Sequence, residues 1–472
     1  MWGSPAVKPD ITLAICPPWG VDMPPLGLAY LSAFLKTKGI TTSVLDMNIE
    51  TYNKVSKDFR KYWKSEFLHT WFEEQDFNKI HPYLKKHIKR SVKKILNSKS
   101  DIIGFSVNQS NMLFTLEVIY HIKQKSPSKK IIIGGQVCYF PQMKKIIFDY
   151  LNYKGWTNTV DFYIIGEGEY TLYEIIKSIK NGLNPVNSLG TEIYKTWMHI
   201  ENPSRDFIKK LDELPFPPYE EFDKKHYAKP DQLPILMSRG CIGRCTFCND
   251  HVITGPYRSR SAEHIFNELK FHVTRNGIKK FSCSDLLING NLKELEKLCD
   301  LIIKHNLNVT FVGQAVVMLN MSDSLLNKMF KAGFHSLVFG IESLCDSVLK
   351  EMNKPFRLND IEQFFPRAHK AGIKVFINLI AGFPGEGEEE FQETLDNIRK
   401  LRPCIDKLMD LSPCEIKYLA PLEANPEKYS YILPRYYYKW HTKDNKNTLE
   451  IRQERVRKIL LLAEELNLPV GG

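Results

Sequence analysis

Three of the ten cysteines of the chain lie within eight residues, at Cys241, Cys245 and Cys248. Three thiolates on one short loop can ligate three corners of a cubane iron–sulfur cluster and leave the fourth iron open to another ligand. A zinc site of these cysteines and His251 is the alternative, because His251 follows at a suitable spacing. Zinc sites usually combine two pairs of ligands, and no second pair is close in the sequence, so the spacing favours the cluster.

The segments around this loop predict a repeating strand–helix unit. A short apolar run at 235–237 leads into the cysteines, and amphipathic helices separate the apolar runs that follow. The further predicted strands lie at 280–283, 309–312, 336–339, 375–380 and 414–418, and the predicted helices at 262–274, 292–305, 323–332 and 360–371. Six strands with intervening helices predict an α/β fold, a partial TIM-like (β/α)6 barrel, in residues 233–423.

The first 185 residues also alternate between apolar strands and helices. The predicted strands lie at 11–16, 41–45, 102–107, 130–133 and 161–165, and the predicted helices at 26–38 and 170–179, with a longer helical stretch at 52–96. This pattern predicts a Rossmann-like, doubly wound parallel sheet in residues 1–185.

Two segments depart from this rhythm. Residues 186–232 are rich in proline and lack periodicity, which indicates a linker between the two domains. Residues 424–472 carry an aromatic run at 435–441 and a final amphipathic helix at 449–466. We expect a small helical extension there, whose aromatic side chains pack rather than line a pocket.

Ligands of doubly wound sheets bind at the carboxyl ends of the strands, where this chain carries polar and glycine-rich loops. A plain turn or a solvated helix start accounts for each loop by itself, so only their recurrence at successive strand ends indicates a ligand site. The candidate residues are Asp46, Asn48, Ser106, Asn108, Gly134, Gly135, Gln136, Gly166, Glu167 and Gly168.

The composition is that of a globular protein, with 43% hydrophobic and 25% charged residues in a chain of 472. The formal net charge of +11 is compatible with an acidic partner. The densest basic run, residues 85–94, nevertheless places apolar residues at helical spacing, which is typical of the solvated face of an amphipathic helix. We therefore expect no nucleic acid partner.

No run approaches the roughly 18 apolar residues that a membrane span requires. The first ten residues lack the charged and apolar regions of a secretory signal, and ten cysteines are too sparse for a disulfide scaffold in a chain of this length. We expect a cytoplasmic protein with reduced thiols and no membrane span.

The run Ser238-Arg239-Gly240-Cys241-Ile242-Gly243-Arg244-Cys245-Thr246-Phe247-Cys248 resembles the cluster loop of the radical S-adenosylmethionine (SAM) enzymes. Together with its first half, the chain resembles their cobalamin-binding-domain subfamily, the class B methyltransferase-like enzymes, over about residues 11–426. The resemblance implies that the three cysteines ligate a [4Fe-4S] cluster. It also implies that the open iron chelates SAM, which an electron from the cluster cleaves to a 5′-deoxyadenosyl radical.

Further positions match family motifs that contact SAM. Phe247 is implied to lie against the adenine, Glu342 ends a Gly-x-Glu segment, and Gly382 with Pro384 belongs to a Gly-x-Pro-Gly-Glu turn. The resemblance adds Gln314, and it adds Ser284 and Asp285, although many relatives carry two acids where this chain has Ser284 before Asp285. Ordinary core packing is the alternative for Phe247, and hydrogen bonding within the chain is the alternative for Gln314 and Glu342.

The first half resembles the cobalamin domain through residues 24–31, 134–135 and 164–169. The resemblance implies that Pro25 and Leu26 contact cobalamin together with the ten strand-end candidates given above. None of the 13 histidines follows an aspartate by two positions, so the histidine lower-ligand motif of other cobalamin proteins is absent. The subfamily generally binds cobalamin without that histidine, and a degenerate domain that binds none is the alternative.

The resemblance implies a C-methyltransferase that acts on an unactivated carbon of a small-molecule, peptide or lipid substrate through a 5′-deoxyadenosyl radical and methylcobalamin. A cyclising, rearranging or oxidising enzyme of the same subfamily is the first alternative, and a non-enzymatic zinc or cobalamin sensor is the second. A methylthiotransferase acting on transfer RNA is disfavoured, because Cys16 and Cys138 are too few for a second cluster in the first half. We expect a monomer that receives electrons from flavodoxin or ferredoxin.

The segment 421–426 departs from the Pro-Gly-Thr-Pro run that many relatives carry near the sixth strand. That loop commonly borders the substrate in the family. The departure indicates an unusual substrate pocket.

Overall fold

The structure is a computed structural model that describes residues 8–434 and 436–471. Met1–Val7, Arg435 and Gly472 lie outside the described residues. Met1–Val7 form most of the stretch in which the sequence shows no secretory signal, and Arg435 belongs to the aromatic run. The chain divides into two compact units. The first runs up to Lys209 and includes Glu213–Leu233, and the second comprises Lys210–Asp212 and continues from Pro234. The predicted linker therefore falls mostly within the first unit.

In the part of the chain that the structure describes, the first unit contains one seven-stranded sheet and seven α-helices. The strands are β1 (Ile11–Ile15), β2 (Thr42–Asp46), β3 (Ile102–Ser106), β4 (Lys130–Gly134), β5 (Phe162–Ile164), β6 (Thr191–Lys195) and β7 (Met198–Glu201). The helices are α1 (Leu26–Thr37), α2 (Met47–Lys54), α3 (His69–Phe72), α4 (Glu74–Asn97), α5 (Met112–Lys125), α6 (Pro141–Tyr153) and α7 (Gly168–Lys180).

The strand order is β2-β1-β3-β4-β5-β6-β7, and the pairs from β2 to β5 are parallel. This confirms the predicted doubly wound arrangement, whose order reverses between β1 and β3. The apolar core of β4, Ile131–Ile133, is buried throughout, as expected for a strand covered on both faces. The sheet as a whole is mixed rather than parallel, because β6 and β7 pair antiparallel to their neighbours.

The hairpin β6–β7 lies where a linker was predicted, so that prediction is wrong for residues 191–201. Ile193 of β6 is buried, and the buried carboxylate of Glu192 pairs with the Lys144 ammonium of α6. These contacts with the body of the unit, together with pairing to β5, order the hairpin.

The basic helix α4 shows the pattern expected of a solvated amphipathic helix. Its apolar side chains Phe77, Ile80, Leu84, Ile88 and Val92 are buried. The lysines and the arginine between them, Lys85, Lys86, Lys89 and Arg90, are exposed.

Among the described residues, the second unit is built on a six-stranded sheet flanked by helices, with two further sheets of two strands each. The strands are β8 (Gln232–Ile235), β9 (Ser238–Arg239), β10 (Arg258–Ser259), β11 (Lys280–Cys283), β12 (Thr310–Ala315), β13 (Phe334–Glu342), β14 (Lys374–Ala381), β15 (Lys407–Pro413), β16 (Tyr431–Ile432) and β17 (His441–Thr442). The helices are α8 (Asp250–Ile253), α9 (Ala262–Asn276), α10 (Leu292–Lys304), α11 (Asp323–Lys331), α12 (Asp346–Glu351), α13 (Leu358–Lys370), α14 (Glu388–Leu401) and α15 (Leu449–Glu465).

The large sheet has the order β15-β14-β13-β12-β11-β8, and the neighbours from β11 to β15 are parallel. Sequential parallel strands with helices between them confirm the predicted half-barrel. The sixth strand is Lys407–Pro413, so the prediction of residues 414–418 is wrong. Leu408 of the true strand pairs with Ile377 of β14, whereas Cys414 only follows the strand and packs in the core beyond it.

The C-terminal segment covers the outer edge of β15. Leu408 N–H donates to the Pro469 carbonyl at 2.9 Å, and Gly471 N–H donates to the Leu408 carbonyl at 3.0 Å. The edge strand is thereby paired rather than left open. Within residues 8–434 and 436–471, we find no helix with the length and apolarity needed to cross a membrane.

Candidate functional site

The three clustered cysteines lie on the loop between β9 and α8, and each thiol is partly exposed. The Gly243 N–H donates to Cys241 Sγ at 3.3 Å, and the Asp250 N–H donates to Cys248 Sγ at 3.4 Å. A Cβ at Gly243 would lie 3.4 Å from Cys241 Sγ and 3.7 Å from Cys245 Sγ. The glycine therefore leaves open the space that these two sulfurs border.

The protonation of these thiols follows from their partial burial. Burial, together with the nearby Asp250 carboxylate, raises the pKa of Cys248 to about 12. Burial also raises the pKa of Cys241 and of Cys245, against the opposing effects of the Gly243 N–H and the Lys354 ammonium, respectively. Iron must therefore displace protons to bind. In the described part of the chain, no three His, Cys, Asp or Glu side chains are grouped to hold a metal ion, and this applies to the three cysteines with or without His251.

Asp285, two residues after the end of β11, fixes the chain that leads into the cysteine loop. Its buried carboxylate accepts from the Met237 N–H at 3.1 Å and from the Ser238 hydroxyl at 2.5 Å. Burial raises the pKa of Asp285 to about 6. The neighbouring Ser284 is exposed, and its N–H donates to the Ile235 carbonyl. Contact of Ser284 and of Asp285 with SAM stays a prediction. The Asp285 carboxylate already accepts hydrogen bonds from within the chain.

This buried carboxyl predicts a pH dependence of stability. Its pKa is higher in the folded protein than the ordinary 3.8, so the folded state binds the proton more tightly, and the free energy of unfolding falls as the pH rises from about 4 to about 6. Asp285→Asn is expected to reduce this fall by about 2 kcal/mol, measured by urea unfolding at a series of pH values. Asp300→Asn, on the surface of α10, serves as the control, and equal slopes in both variants would contradict the assignment.

Phe247 of the cysteine loop is buried in an apolar core. It is 9% exposed and packs in one group with Met352, Phe383 and Trp440. Phe247 therefore packs against other apolar side chains of the chain. Its contact with an adenine stays a prediction. Trp440 belongs to the predicted aromatic run and is fully buried, as the packing interpretation predicts.

Lys354 joins Phe247 to Glu342 and was not predicted from the sequence. Its ammonium lies 5.2 Å from the centroid of the Phe247 ring, a cation–π contact. It also donates to the Gly340 carbonyl at 2.8 Å and pairs with Glu342 Oε1 at 3.3 Å. Glu342 ends β13 with φ +70°, an uncommon conformation that this ion pair helps to hold. The other strand-end candidate, Gln314 of β12, is exposed.

Replacing Lys354 by methionine is expected to destabilise the protein by about 3 kcal/mol, because it leaves the largely buried Glu342 carboxylate without its cation. The measurement is the free energy of unfolding in urea. Lys350→Met, at an exposed position four residues earlier, is the control and is expected to cost no more than about 0.5 kcal/mol. Similar losses in the two variants would contradict the role of the buried ion pair.

Gly382 and Pro384 belong to the turn that follows β14, and both are buried. Gly382 has φ +77°, and a Cβ there would lie 2.3 Å from Arg452 Cγ. The glycine is thus required by the packing of α15 against this turn. Contact of the turn with SAM stays a prediction.

Four strand ends of the first unit lie side by side. Ile15 at the end of β1 is in register with Asp46 of β2 and with Ser106 of β3, and Ser106 is in register with Gly134 of β4. The adjacent Gly135 and Gln136 are exposed, and Gly166 and Glu167 after β5 are half-buried. The structure therefore brings the predicted loops to one edge of the sheet.

Several of these candidates have partners within the chain. The Asp46 carboxylate accepts from the Ile49 N–H at 2.8 Å and from the Tyr227 hydroxyl at 2.8 Å. Buried Asn48 accepts from the Trp19 N–H, and Glu167 Oε2 accepts from the Ile208 N–H. Contact of these side chains with cobalamin stays a prediction.

Glycine at position 135 and asparagine at position 111 shape this edge. A Cβ on Gly135, at φ +103°, would lie 2.6 Å from the Val107 carbonyl oxygen, so only glycine permits the close approach. Buried Asn111, which sequence reasoning missed, donates to the Cys16 and Ser106 carbonyls and accepts from the Asn108 N–H. Its position in an Asn-x-x-Asn segment after a strand was the available signal.

Pro25 and Leu26 stand at the start of the first helix. Pro25 is the N-cap residue of α1, and Leu26 is its first helical residue and is half-buried. Gly168 begins α7, where a Cβ would be in ordinary contact with Leu31. Their contact with cobalamin also stays a prediction.

The second unit thus combines a parallel half-barrel with three thiols on the loop that follows β9. Residues 235–398 match the family model described as the Radical SAM superfamily. The chain therefore contains a radical SAM domain, as the resemblance predicted.

Similarity to known proteins extends beyond this domain. The chain is 24% identical over 402 residues to an uncharacterized methyltransferase of Pyrococcus horikoshii, which covers 84% of this chain and 77% of that protein. It is 25% identical over 422 residues to cytidylyl-2-hydroxyethylphosphonate methyltransferase of Streptomyces wedmorensis, covering 79% and 72%. The fold resembles the radical SAM methyltransferase TsrM of Kitasatospora setae, solved with cobalamin and a [4Fe-4S] cluster, with a TM-score of 0.64 and 16% identity over 88% of this chain and 74% of that one.

Proposed function

We propose that the protein is a cobalamin-dependent radical SAM methyltransferase that methylates an unactivated carbon of a small-molecule, peptide or lipid substrate. The observation that carries this proposal is the loop of three partly exposed thiols, Cys241, Cys245 and Cys248, in a domain that matches the radical SAM model. Similarity to proteins named methyltransferases, over segments longer than that domain, supports the methyl transfer.

The donor set fits a [4Fe-4S] cluster. Thiolates are the ligands of such clusters, and the missing side chain at Gly243 leaves room beside two of the three sulfurs. A bound cluster and SAM would supply the radical chemistry, while the protein binds, orients and excludes water. Cys241, Cys245 and Cys248 would hold the cluster, and Lys354 would keep Phe247 and Glu342 in place beside it.

The first unit supports the cobalamin part of the proposal. Its strand order is that of doubly wound ligand-binding domains, and its aligned strand ends carry exposed Gly135 and Gln136. The TsrM structure, which resembles this chain in fold, was solved with cobalamin.

The test is product analysis after anaerobic reconstitution with iron, sulfide and cobalamin, followed by reductant and SAM. A flavodoxin or ferredoxin is the expected natural electron donor and can replace the chemical reductant. Methylation predicts both 5′-deoxyadenosine and S-adenosylhomocysteine, and omission of cobalamin should remove the methylated product. Deoxyadenosine without S-adenosylhomocysteine, with candidate substrates present, would contradict methyl transfer and favour a cyclising, rearranging or oxidising enzyme.

A further inference from the structure

Three side chains of the C-terminal segment hold the turn Gly382–Glu386. Asn447 Nδ2 donates to the Gly382 carbonyl at 3.0 Å and lies 3.4 Å from the Phe383 carbonyl. The Arg455 guanidinium donates at 3.0 Å to the Glu386 carbonyl and at 2.9 Å to its carboxylate. The third side chain, Arg452, fills the space left by the missing Cβ of Gly382.

The turn Gly382–Glu386 contains no cation that could pair with the Glu386 carboxylate. The Glu386 carboxylate accepts from the Gly382 N–H at 2.6 Å, which closes the turn on itself, but that carboxylate is buried and needs a cation. Arg455, also buried, provides it. The conformation of the turn therefore depends on α15, which begins more than sixty residues later.

Arg452 is a fully buried guanidinium whose role is packing and hydrogen bonding. It donates to the Trp440 carbonyl at 2.9 Å, to the Tyr438 carbonyl at 3.0 Å and to Asn447 Oδ1 at 3.2 Å. It also stacks on the Trp440 ring, with 4.0 Å between Arg452 Cζ and the ring centroid. Burying a cation costs free energy, and these hydrogen bonds offset that cost only in this one arrangement of Arg452.

The same segment also reaches the cysteine loop. Trp440 shares one apolar core with Phe247 and Phe383, and its indole N–H donates to the Cys414 carbonyl at 2.8 Å. One stretch of chain thus contacts both the turn after β14 and the core that contains Phe247. These are the two places at which the family resemblance puts SAM.

We propose that Asn447, Arg452 and Arg455 are positioning residues that fix the Gly382–Glu386 turn relative to Phe247, so that SAM binds between them. This inference rests on the proposed function, because it takes SAM as the ligand. The three residues act through the turn and do not contact the ligand. Their loss weakens SAM binding while the three cluster ligands remain intact.

The test compares SAM binding to the reconstituted holoprotein, measured by equilibrium dialysis, with its iron content and its unfolding midpoint. Arg455→Gln and Asn447→Ala are each expected to raise the Kd for SAM roughly tenfold, with iron content unchanged. Arg457→Gln is the matched control, because Arg457 lies on the exposed side of the same helix and pairs only with Glu454 among the ion pairs of the described residues. The control should bind SAM as the wild type does.

The outcomes separate positioning from general stability and from the proposed function. An unchanged Kd in a folded variant, or an equal rise in Arg457→Gln, would overturn this inference. If Arg455→Gln does not fold, Asn447→Ala decides by the same two readings, since it removes no charge. A wild-type holoprotein that binds no SAM would instead overturn the proposed function, and the inference with it.

Discussion

Replacing Cys245 by alanine is expected to abolish assembly of the iron–sulfur cluster. Two thiolates, Cys241 and Cys248, cannot hold three corners of a cubane, and Cys245 borders the space left open at Gly243. The reconstituted variant should lose the brown colour and nearly all of its iron and sulfide, and it should cleave no SAM. Iron and sulfide analysis with the visible absorption spectrum makes the measurement.

Cys404→Ala is the matched control for this experiment. Cys404 is also a partly exposed free thiol, but it ends a 3-10 turn far along the chain from the cysteine loop. The control should assemble a cluster with wild-type iron content. Cluster retained in Cys245→Ala, or lost equally in Cys404→Ala, would contradict the assignment of the ligands.

Gly240→Ala is expected to disrupt the cysteine loop without removing a ligand. Gly240 directly precedes Cys241 and has φ +83°, and a Cβ there would lie 2.3 Å from the Pro256 carbonyl oxygen. The left-handed backbone conformation and the clash with the Pro256 carbonyl each cost free energy, and the two costs add. We therefore expect a loss of about 3 kcal/mol or more in the free energy of unfolding. Urea unfolding of the cluster-free protein measures this loss, and reconstitution should show reduced iron content.

Gly277→Ala separates the clash from the conformational cost. Gly277 ends α9 in the left-handed region at φ +65°, but a Cβ there would meet no atom within 4 Å. This variant should lose only about 1 kcal/mol and keep a wild-type cluster. A loss in Gly240→Ala no larger than that in Gly277→Ala would show that the loop does not need glycine for space.

Periodicity was sufficient to predict most of the fold. Lys130–Gly134 contains three consecutive buried isoleucines, and Lys280–Cys283 places its buried Phe281 and Cys283 at alternate positions, so both strands were readable from the local sequence. The sixth barrel strand was not, because Lys407–Pro413 alternates weakly and gains its place by pairing with β14. The hairpin β6–β7 was missed for the same reason, since its order comes from pairing with β5.

The candidate site divides in a similar way. The cysteine loop was recognisable because its three cysteines lie within eight residues of the sequence. Lys354 was not, because nothing local marks a lysine that reaches Glu342 and the Phe247 ring across the fold. The turn at Gly382 shows the limit of motif reading, since its glycine also accommodates Arg452, seventy residues later in the chain.

The central claim is that the cysteine loop holds a cluster with one iron open to SAM. The most direct measurement is the electron paramagnetic resonance spectrum of the reconstituted, reduced protein before and after addition of SAM. We predict the spectrum of a reduced [4Fe-4S] cluster whose g values change when SAM binds to the open iron. A protein that contains zinc instead of iron, or a reduced cluster whose spectrum is unchanged at saturating SAM, would contradict the account.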